Sequence, residues 1–123
     1  MARRAPPGYR AAFDLHVAAQ HDRLVVGRGP GCDVVADSRS VSLRHCRITW
    51  ASPMGVQVVD LQSSNGTYHW RGGSWWRIPA TNNGNGLGLF VGWGEYLRLG
   101  RFRGNVVLLR LWPPREQFVL GGS

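Results

Sequence analysis

Apolar and polar residues alternate along this chain in short runs, and no stretch keeps a helical period. Ala12-Phe13-Asp14-Leu15-His16-Val17 and His45-Cys46-Arg47-Ile48-Thr49-Trp50 both alternate. In a strand that pattern sends every second side chain to the same face. Leu24-Val25-Val26, Asp33-Val34-Val35 and Val56-Gln57-Val58-Val59-Asp60 are β-branched runs of strand length. Thr67-Tyr68-His69-Trp70, Ser74-Trp75-Trp76-Arg77-Ile78, Tyr96-Leu97-Arg98-Leu99 and Asn105-Val106-Val107-Leu108-Leu109-Arg110-Leu111 continue the rhythm. Turn chemistry separates the runs: Gly27-Arg28-Gly29-Pro30-Gly31, the polar loop Asp37-Ser38-Arg39-Ser40, then Ser52-Pro53-Met54-Gly55 and Gln62-Ser63-Ser64-Asn65-Gly66. Glycine, proline and asparagine at these points supply the backbone angles that tight connections need. The prediction is an all-β fold with little helix, a twisted, antiparallel-rich sandwich of two sheets built from about ten or eleven short strands.

One segment breaks the rhythm. Residues 79–93 hold Thr81-Asn82-Asn83-Gly84-Asn85-Gly86-Leu87-Gly88-Leu89, too rich in glycine and asparagine for an ordinary strand. A long mobile loop or a hairpin with a wide Asn-Gly turn is expected, with 81–88 the most mobile interior stretch. Five of the six tryptophans lie around it: Trp70, Trp75, Trp76, Trp93 and Trp112, with Trp50 earlier. They are expected to pack the core and the space between sheets; the alternative is an exposed aromatic platform.

A chain of 123 residues has room for one core. The expected division is a flexible basic arm at 1–8, one folded domain at 9–112 with a long insertion near 79–93, and a tail at 113–123. No apolar run is long enough to span a membrane, and no apolar stretch follows the basic start as a secretory signal requires. Cys32 and Cys46 are too few for a disulfide framework and lack metal-site spacing, so reduced core thiols in a cytoplasmic protein are expected. The scattered His16, His21 and His69 make no metal set, and neither a metal nor a cofactor is expected. The net charge is +8, and all fifteen basic residues are arginine. Such a field attracts anionic partners, and arginine is suited to forked contacts with phosphate. Charge alone does not choose among phosphopeptide, nucleic acid and acidic lipid.

Three loop segments narrow the choice: Gly27-Arg28, Ser42-Leu43-Arg44-His45 and Ser64-Asn65-Gly66-Thr67. Each lies between strands, where a rigid sandwich carries binding residues. Arg28 and Arg44 offer charge-assisted hydrogen bonds to a phosphate dianion, and Ser42 offers a hydroxyl. Backbone N–H groups of the glycine- and serine-rich turns add donors, and the Asn65 amide can pair with an extended peptide backbone. Ser42 and His45 do not make a hydrolase pair, because no acid is placed to orient the histidine. No helix pattern follows Gly27–Gly31, as a nucleotide-binding glycine loop requires. Catalysis is not expected.

Gly27-Arg28, Ser42-x-x-His45 and Asn65-Gly66-Thr67, in that order and spacing, resemble the signature of the forkhead-associated (FHA) domain. The flanking Gly31-Cys32-Asp33-Val34-Val35 and Asp60-Leu61-Gln62-Ser63 agree, and Gly94-Glu95-Tyr96-Leu97-Arg98-Leu99-Gly100 resembles the family's Gly-Asp-x-Ile-x-Leu-Gly strand. The likeness covers roughly residues 22 to 111. Arg71-Gly72-Gly73 stands where an Asn-Gly pair is usual, and 79–93 is longer than the usual connection. The resemblance implies an FHA/SMAD-like sandwich that holds a phosphothreonine peptide in loops at one end. By position, Arg28 and Ser42 would grip the phosphate with Arg44 helping. Asn65 would bond the peptide main chain, while Leu43 and Ser64 would surround the threonine methyl. Gly27 would permit a sharp exit from its strand, His45 would tie the loop from beneath, and Gly66 and Thr67 would close their turn. Ser40 would sit where neighbours of the phosphothreonine are read.

The expected function is therefore phosphorylation-dependent protein–protein interaction downstream of a Ser/Thr kinase, by a monomer or weak dimer. Two alternatives stand beside it. One is a basic, aromatic-rich nucleic-acid-binding domain, disfavoured because the arginines are spread along the chain. The other is an FHA fold used for assembly without phosphate.

Overall fold

The computed structural model describes residues 4–17, 23–81, 88–101 and 106–115. A short 3-10 turn, Tyr9–Ala11, leads into β1 (Phe13–His16). The strands that follow are β2 (Arg23–Gly27), β3 (Val34–Val35), β4 (Cys46–Ser52), β5 (Gly55–Asp60) and β6 (Thr67–Arg71). The chain ends with β7 (Ser74–Arg77), β8 (Leu89–Gly92), β9 (Tyr96–Leu99) and β10 (Val107–Trp112). They form two five-stranded sheets, ordered β1-β10-β9-β6-β7 and β3-β2-β4-β5-β8. The pairings are antiparallel except for β1 with β10 and β2 with β3.

The sandwich follows from the side-chain period. Val26, Cys46, Ile48, Val56, Val58 and Val91 come from one sheet, Leu97, Leu99, Leu109 and Leu111 from the other, and all are buried. Cross-strand register stacks them: Val26 faces Cys46, Ile48 faces Val58 and Val56 faces Val91. Val41 and Ile78 fill the core from connections. Burying such side chains contributes roughly 1.5–3 kcal/mol each.

Four expectations gain detail. The first is that the tryptophans pack the core and the space between sheets: Trp50 and Trp93 pack half-buried against the core, but none of the six is fully buried, and Trp76 is 59% exposed. Four of them pair, Trp50 beside Trp93 and Trp70 beside Trp75. The second concerns 79–93, expected as a long loop or a hairpin with a wide turn. Leu89–Gly92 is β8, bonded to β5, while 82–87, and with them the expected mobile stretch, lie outside the described residues. The third concerns Asn65-Gly66, a tight connection as expected, which carries the chain between the sheets because β5 and β6 belong to different ones. The hairpin turn is Arg71-Gly72-Gly73-Ser74, with φ +60° and +82° at its two glycines. Positive φ at both centres matches the twist of a two-residue hairpin. The fourth is that both cysteines are core filler: Cys46 is buried, which pushes its thiol pKa up, but Cys32 is only half-buried.

Three connections meet at one end of the sandwich: β2 to β3, β3 to β4 and β5 to β6. The crossing from β5 to β6 carries the chain between sheets, so this end joins both halves of the fold.

Candidate functional site

The β2–β3 and β3–β4 connections are locked together by backbone. The Arg28 amide donates to the Ser42 carbonyl at 2.9 Å, and the Gly29 amide to the Leu43 carbonyl at 3.0 Å. Arg28 Nε donates to the Val41 carbonyl at 3.0 Å. That contact fixes the guanidinium root and leaves the terminal nitrogens of an exposed side chain directed to solvent. Gly27 has a reason other than a sharp exit. Its φ is not positive, but a Cβ there would lie 2.3 Å from the Leu43 carbonyl oxygen and 2.9 Å from Cys32 Sγ. Only glycine lets the strands close so tightly. Cys32 Sγ in turn donates to that carbonyl at 3.0 Å.

Ser42 joins this pair of loops to the third. Its Oγ accepts the Ser64 amide at 3.0 Å. With the oxygen so engaged, the hydroxyl proton is available to a phosphate oxygen. Asn65 Nδ2 donates to the Ser40 carbonyl at 3.0 Å, which orients the amide and leaves Oδ1 as an acceptor for a peptide N–H. Leu43 is 57% exposed beside the serine, and Arg44 and Ser64 are exposed as well.

His45 lies beneath, fully buried. Its Nδ1 accepts the Ser42 amide at 3.1 Å, so its Nε2 carries the proton and donates to the Gly66 carbonyl at 2.8 Å. One neutral imidazole thus ties the Ser42 loop to the Asn65 turn. Gly66 takes φ +89°, and a Cβ there would meet the Tyr68 ring. Thr67 Oγ1 donates to Asp60 Oδ1 at 2.7 Å, and Ser63 Oγ donates to the same oxygen at 2.5 Å. The Ser63 amide donates to Asp60 Oδ2 at 3.0 Å. Asp60 and Ser63, both buried, form the hub of this turn and were missed in the sequence. The available signal was an acid at a strand end with a serine three residues on, a local side-chain-to-backbone pattern.

Burial lowers the His45 pKa, although the Gly66 bond and Asp60 pull the other way. Burial also lowers that of His69, against Glu95. Both folded values lie below the unfolded value of about 6.5, so the unfolded chain binds more protons on acidification. The stability tied to the neutral rings is complete above that pH and is lost as pH falls below it. Thermal unfolding is expected at lower temperature at pH 5 than at pH 7.5, with the slope reduced in His45→Gln; a midpoint independent of pH would contradict the assignment.

Elsewhere, Arg98 lies 4.2 Å from the Tyr68 ring centre and 4.9 Å from that of Trp75, and Arg110 similarly covers Tyr96 and Trp112. These aromatic faces already carry guanidinium, which weighs against their use as a base-stacking platform. Among the described residues no group of His, Cys, Asp and Glu is placed to hold a metal, and no helix is long and apolar enough to cross a membrane.

Residues 24–73 match the FHA domain family. That stretch runs from β2 to the β6–β7 turn and holds the three loops of the site. Solved structures of similar fold include the FHA domain of FhaA complexed with the intracellular domain of Rv3910, 21% identical, covering 75% of this chain and 85% of that one, with TM-score 0.51. The FHA domain of CT664 from Chlamydia trachomatis is 21% identical over 71% of this chain and 74% of its own, with TM-score 0.52. Mycobacterium tuberculosis EmbR in complex with a low-affinity phosphopeptide is 22% identical over 79% of this chain and 22% of its own, with TM-score 0.52. At these identities the likeness shows the FHA fold. No curated protein matches the chain by sequence.

Proposed function

We propose that this FHA domain binds phosphothreonine peptides and acts in phosphorylation-dependent protein–protein interaction, without catalysis of its own. The observation that carries the reading is the meeting of Arg28 with Ser42. The guanidinium is anchored at Nε on Val41, the serine oxygen is anchored on the Ser64 amide, and both leave donors facing outward at one loop end. A phosphate dianion needs this kind of pre-oriented, charge-assisted donor set. The phosphopeptide in the EmbR complex supports the reading for a related fold. In this proposal Arg44 assists at the phosphate, the Asn65 Oδ1 takes a peptide amide, and Leu43 with Ser64 makes the niche for the threonine methyl. Gly27, His45, Gly66 and Thr67 hold the loops in place. The folded unit is 9–112, the setting is cytoplasmic, and the phosphothreonine is made by a Ser/Thr kinase.

One peptide titrated calorimetrically in three forms tests this. Unmodified threonine is expected not to bind. Phosphoserine carries the same charge as phosphothreonine and lacks one methyl, worth roughly 1–3 kcal/mol in a fitted apolar niche. Phosphoserine is therefore expected to bind at least about fivefold more weakly, with a preference that changes little with salt. Equal affinity for both phosphorylated forms would remove the methyl niche. Equal affinity for all three would overturn the phosphothreonine reading.

A further inference from the structure

The sheet β1-β10-β9-β6-β7 has an outer face as well as a core face. Thr67 and His69 of β6, Leu97 and Leu99 of β9, and Leu109 and Leu111 of β10 are buried, so the residues that alternate with them point outward. Tyr68, Arg98 and Arg110 are among these. Trp70 continues the outward row of β6 and stands opposite Trp75 across the β6–β7 hairpin, with ring centres 5.1 Å apart.

A length of the chain itself is seated at Trp70. The indole Nε1 donates to the Arg4 carbonyl at 2.7 Å. In the run Arg4-Ala5-Pro6-Pro7, Pro6 is buried while Arg4 and Pro7 are exposed. Ala5 and Pro6 each precede a proline, which favours an extended course, and neither proline has an N–H with which to join a sheet. Such a segment offers rings and carbonyls. An indole N–H beside an aromatic groove is the surface that complements them.

The seated segment matches the face incompletely. Gly8, at φ +77°, turns the chain out of its extended course into the Tyr9–Ala11 turn. Beside that bend the face keeps a cavity of about 360 Å³, with Pro7, Gly8, Phe13, Trp75, Arg98 and Leu108 in its walls. Its size is in the range of pockets that take ligands. The charge is mismatched as well. Arg98 and Arg110 point outward from this sheet, and the exposed Arg77 pairs with Tyr68. The carboxylate described on this face is Asp14, which accepts Trp112 Nε1 at 2.7 Å. Arg4 therefore adds positive charge to a positive face, where an acidic segment would be favoured.

We propose that the Trp70–Trp75 face docks a proline-rich, acidic segment of a partner protein, in competition with residues 4–7 of the chain itself. None of its residues belongs to the three loops at the phosphate end, so the proposal stands whether or not those loops take phosphothreonine. A tethered segment competes at high effective concentration, so the partner gains access when residues 4–7 leave the face.

The test uses the full, isotope-labelled chain and follows the Trp70 indole N–H by NMR, identified by its loss in Trp70→Phe. Three capped peptides are the probes: Arg-Arg-Ala-Pro-Pro-Gly-Tyr, which copies residues 3–9, Glu-Glu-Ala-Pro-Pro-Gly-Tyr, and Glu-Glu-Ala-Ala-Ala-Gly-Tyr. In Pro6→Gly/Pro7→Gly, which loosens the chain's own segment, the acidic proline peptide is expected to shift the indole signal. It should bind that variant about threefold to tenfold more tightly than the parent, the factor by which the seated segment otherwise closes the face. The arginine peptide should bind about threefold to tenfold more weakly than the acidic one, with the gap narrowing at high salt. The alanine peptide should be weaker by about fourfold or more, because two residues lose their preset backbone angle. Trp70→Phe keeps a ring without the donor and should weaken the acidic proline peptide about twofold to tenfold, read by labelled-peptide anisotropy. Thermal unfolding of each variant near the parent midpoint checks that the fold is kept.

Equal binding of the alanine and proline peptides would leave only acid attracted to a basic surface and overturn the site. Unchanged affinity in Trp70→Phe, or an indole signal unmoved by millimolar acidic peptide in the Pro6→Gly/Pro7→Gly variant, would do the same. Equal affinity of the acidic and arginine peptides at low salt would overturn the acidic partner. An oligothymidylate that shifts the signal where no proline peptide does would give the face to nucleic acid instead.

Discussion

Arg28→Ala is expected to abolish phosphopeptide binding while the domain stays folded. The side chain is exposed and contributes little to the core, and its only described side-chain bond is Nε to the Val41 carbonyl. Val41 is buried, so losing the donor to its carbonyl should cost about 1–3 kcal/mol, short of what unfolds a typical domain, and the Arg28 amide keeps its bond to Ser42. Binding is a different matter. The phosphate would lose a forked, charge-assisted partner in a site closed over by the peptide, a loss of roughly 2–5 kcal/mol, or thirtyfold and more. Ser42→Ala removes a single hydrogen bond to a charged group and should cost less, roughly 1.5–3 kcal/mol. It also removes the acceptor of the Ser64 amide, so part of its effect would come through the Asn65 turn. The measurements are titration with one phosphothreonine peptide and thermal unfolding of both variants. Parent-like affinity in Arg28→Ala would show that the phosphate sits elsewhere.

The strands were legible because their signal is local. A β-branched run such as Val56–Asp60, or the alternation of His45–Trp50, needs no knowledge of the partner strand to predict its state. Sheet membership is not local. Nothing in Asn65-Gly66 distinguishes a hairpin from a crossing between sheets; that depends on Thr67 pairing with Leu99 across the other sheet. The parallel pairing of β1 with β10 joins residues 13–16 to 109–112, almost the length of the domain apart. The tryptophans misled for another reason. An indole fits poorly in the narrow layer filled by valine, isoleucine and leucine, and outside that layer its N–H finds a carbonyl, as Trp70 does with Arg4 and Trp93 with Pro53.

The candidate site was legible as a set of residues and less so as a mechanism of support. Arg28, Ser42 and Asn65 stood out by chemistry and spacing, and the structure brings their loops to one end. What holds them there was partly hidden. His45 bridges two loops through both ring nitrogens, which follows from its burial and the position of Gly66, a contact 21 residues away. Gly27 acts through the approach of the Leu43 carbonyl, a contact that local turn preference does not encode. Asp60 read as the end of a strand, although it organises the turn that presents Asn65.

Asp60→Ala should therefore be the most damaging single change at this end of the fold that touches no ligand. The carboxylate is 1% exposed and accepts the Ser63 amide, the Ser63 hydroxyl and the Thr67 hydroxyl. Truncation leaves buried donors without an acceptor, each costing about 1–3 kcal/mol. Rotation of the two hydroxyls recovers part of this, so a total near 3 kcal/mol is expected, a large share of the 5–15 kcal/mol typical of a domain. The damage should spread in a definite direction. Ser63 Oγ also accepts the Gly66 amide, and the Gly66 carbonyl receives both His45 Nε2 and the Gly100 amide. Loosening Ser63 thus frees the Asn65 turn, and phosphopeptide affinity should fall even at temperatures where the variant remains folded. Asp60→Asn keeps one carbonyl oxygen for the hydroxyl donors but replaces the other oxygen with an amide that cannot accept the Ser63 N–H, so it should lie between parent and alanine. Chemical denaturation gives the stability order, and amide exchange at Ser64, Asn65 and Gly66 gives the local one. Asp60→Ala with parent-like stability, or with slow exchange retained across 64–66, would mean that the turn is held by His45 and Gly100 alone.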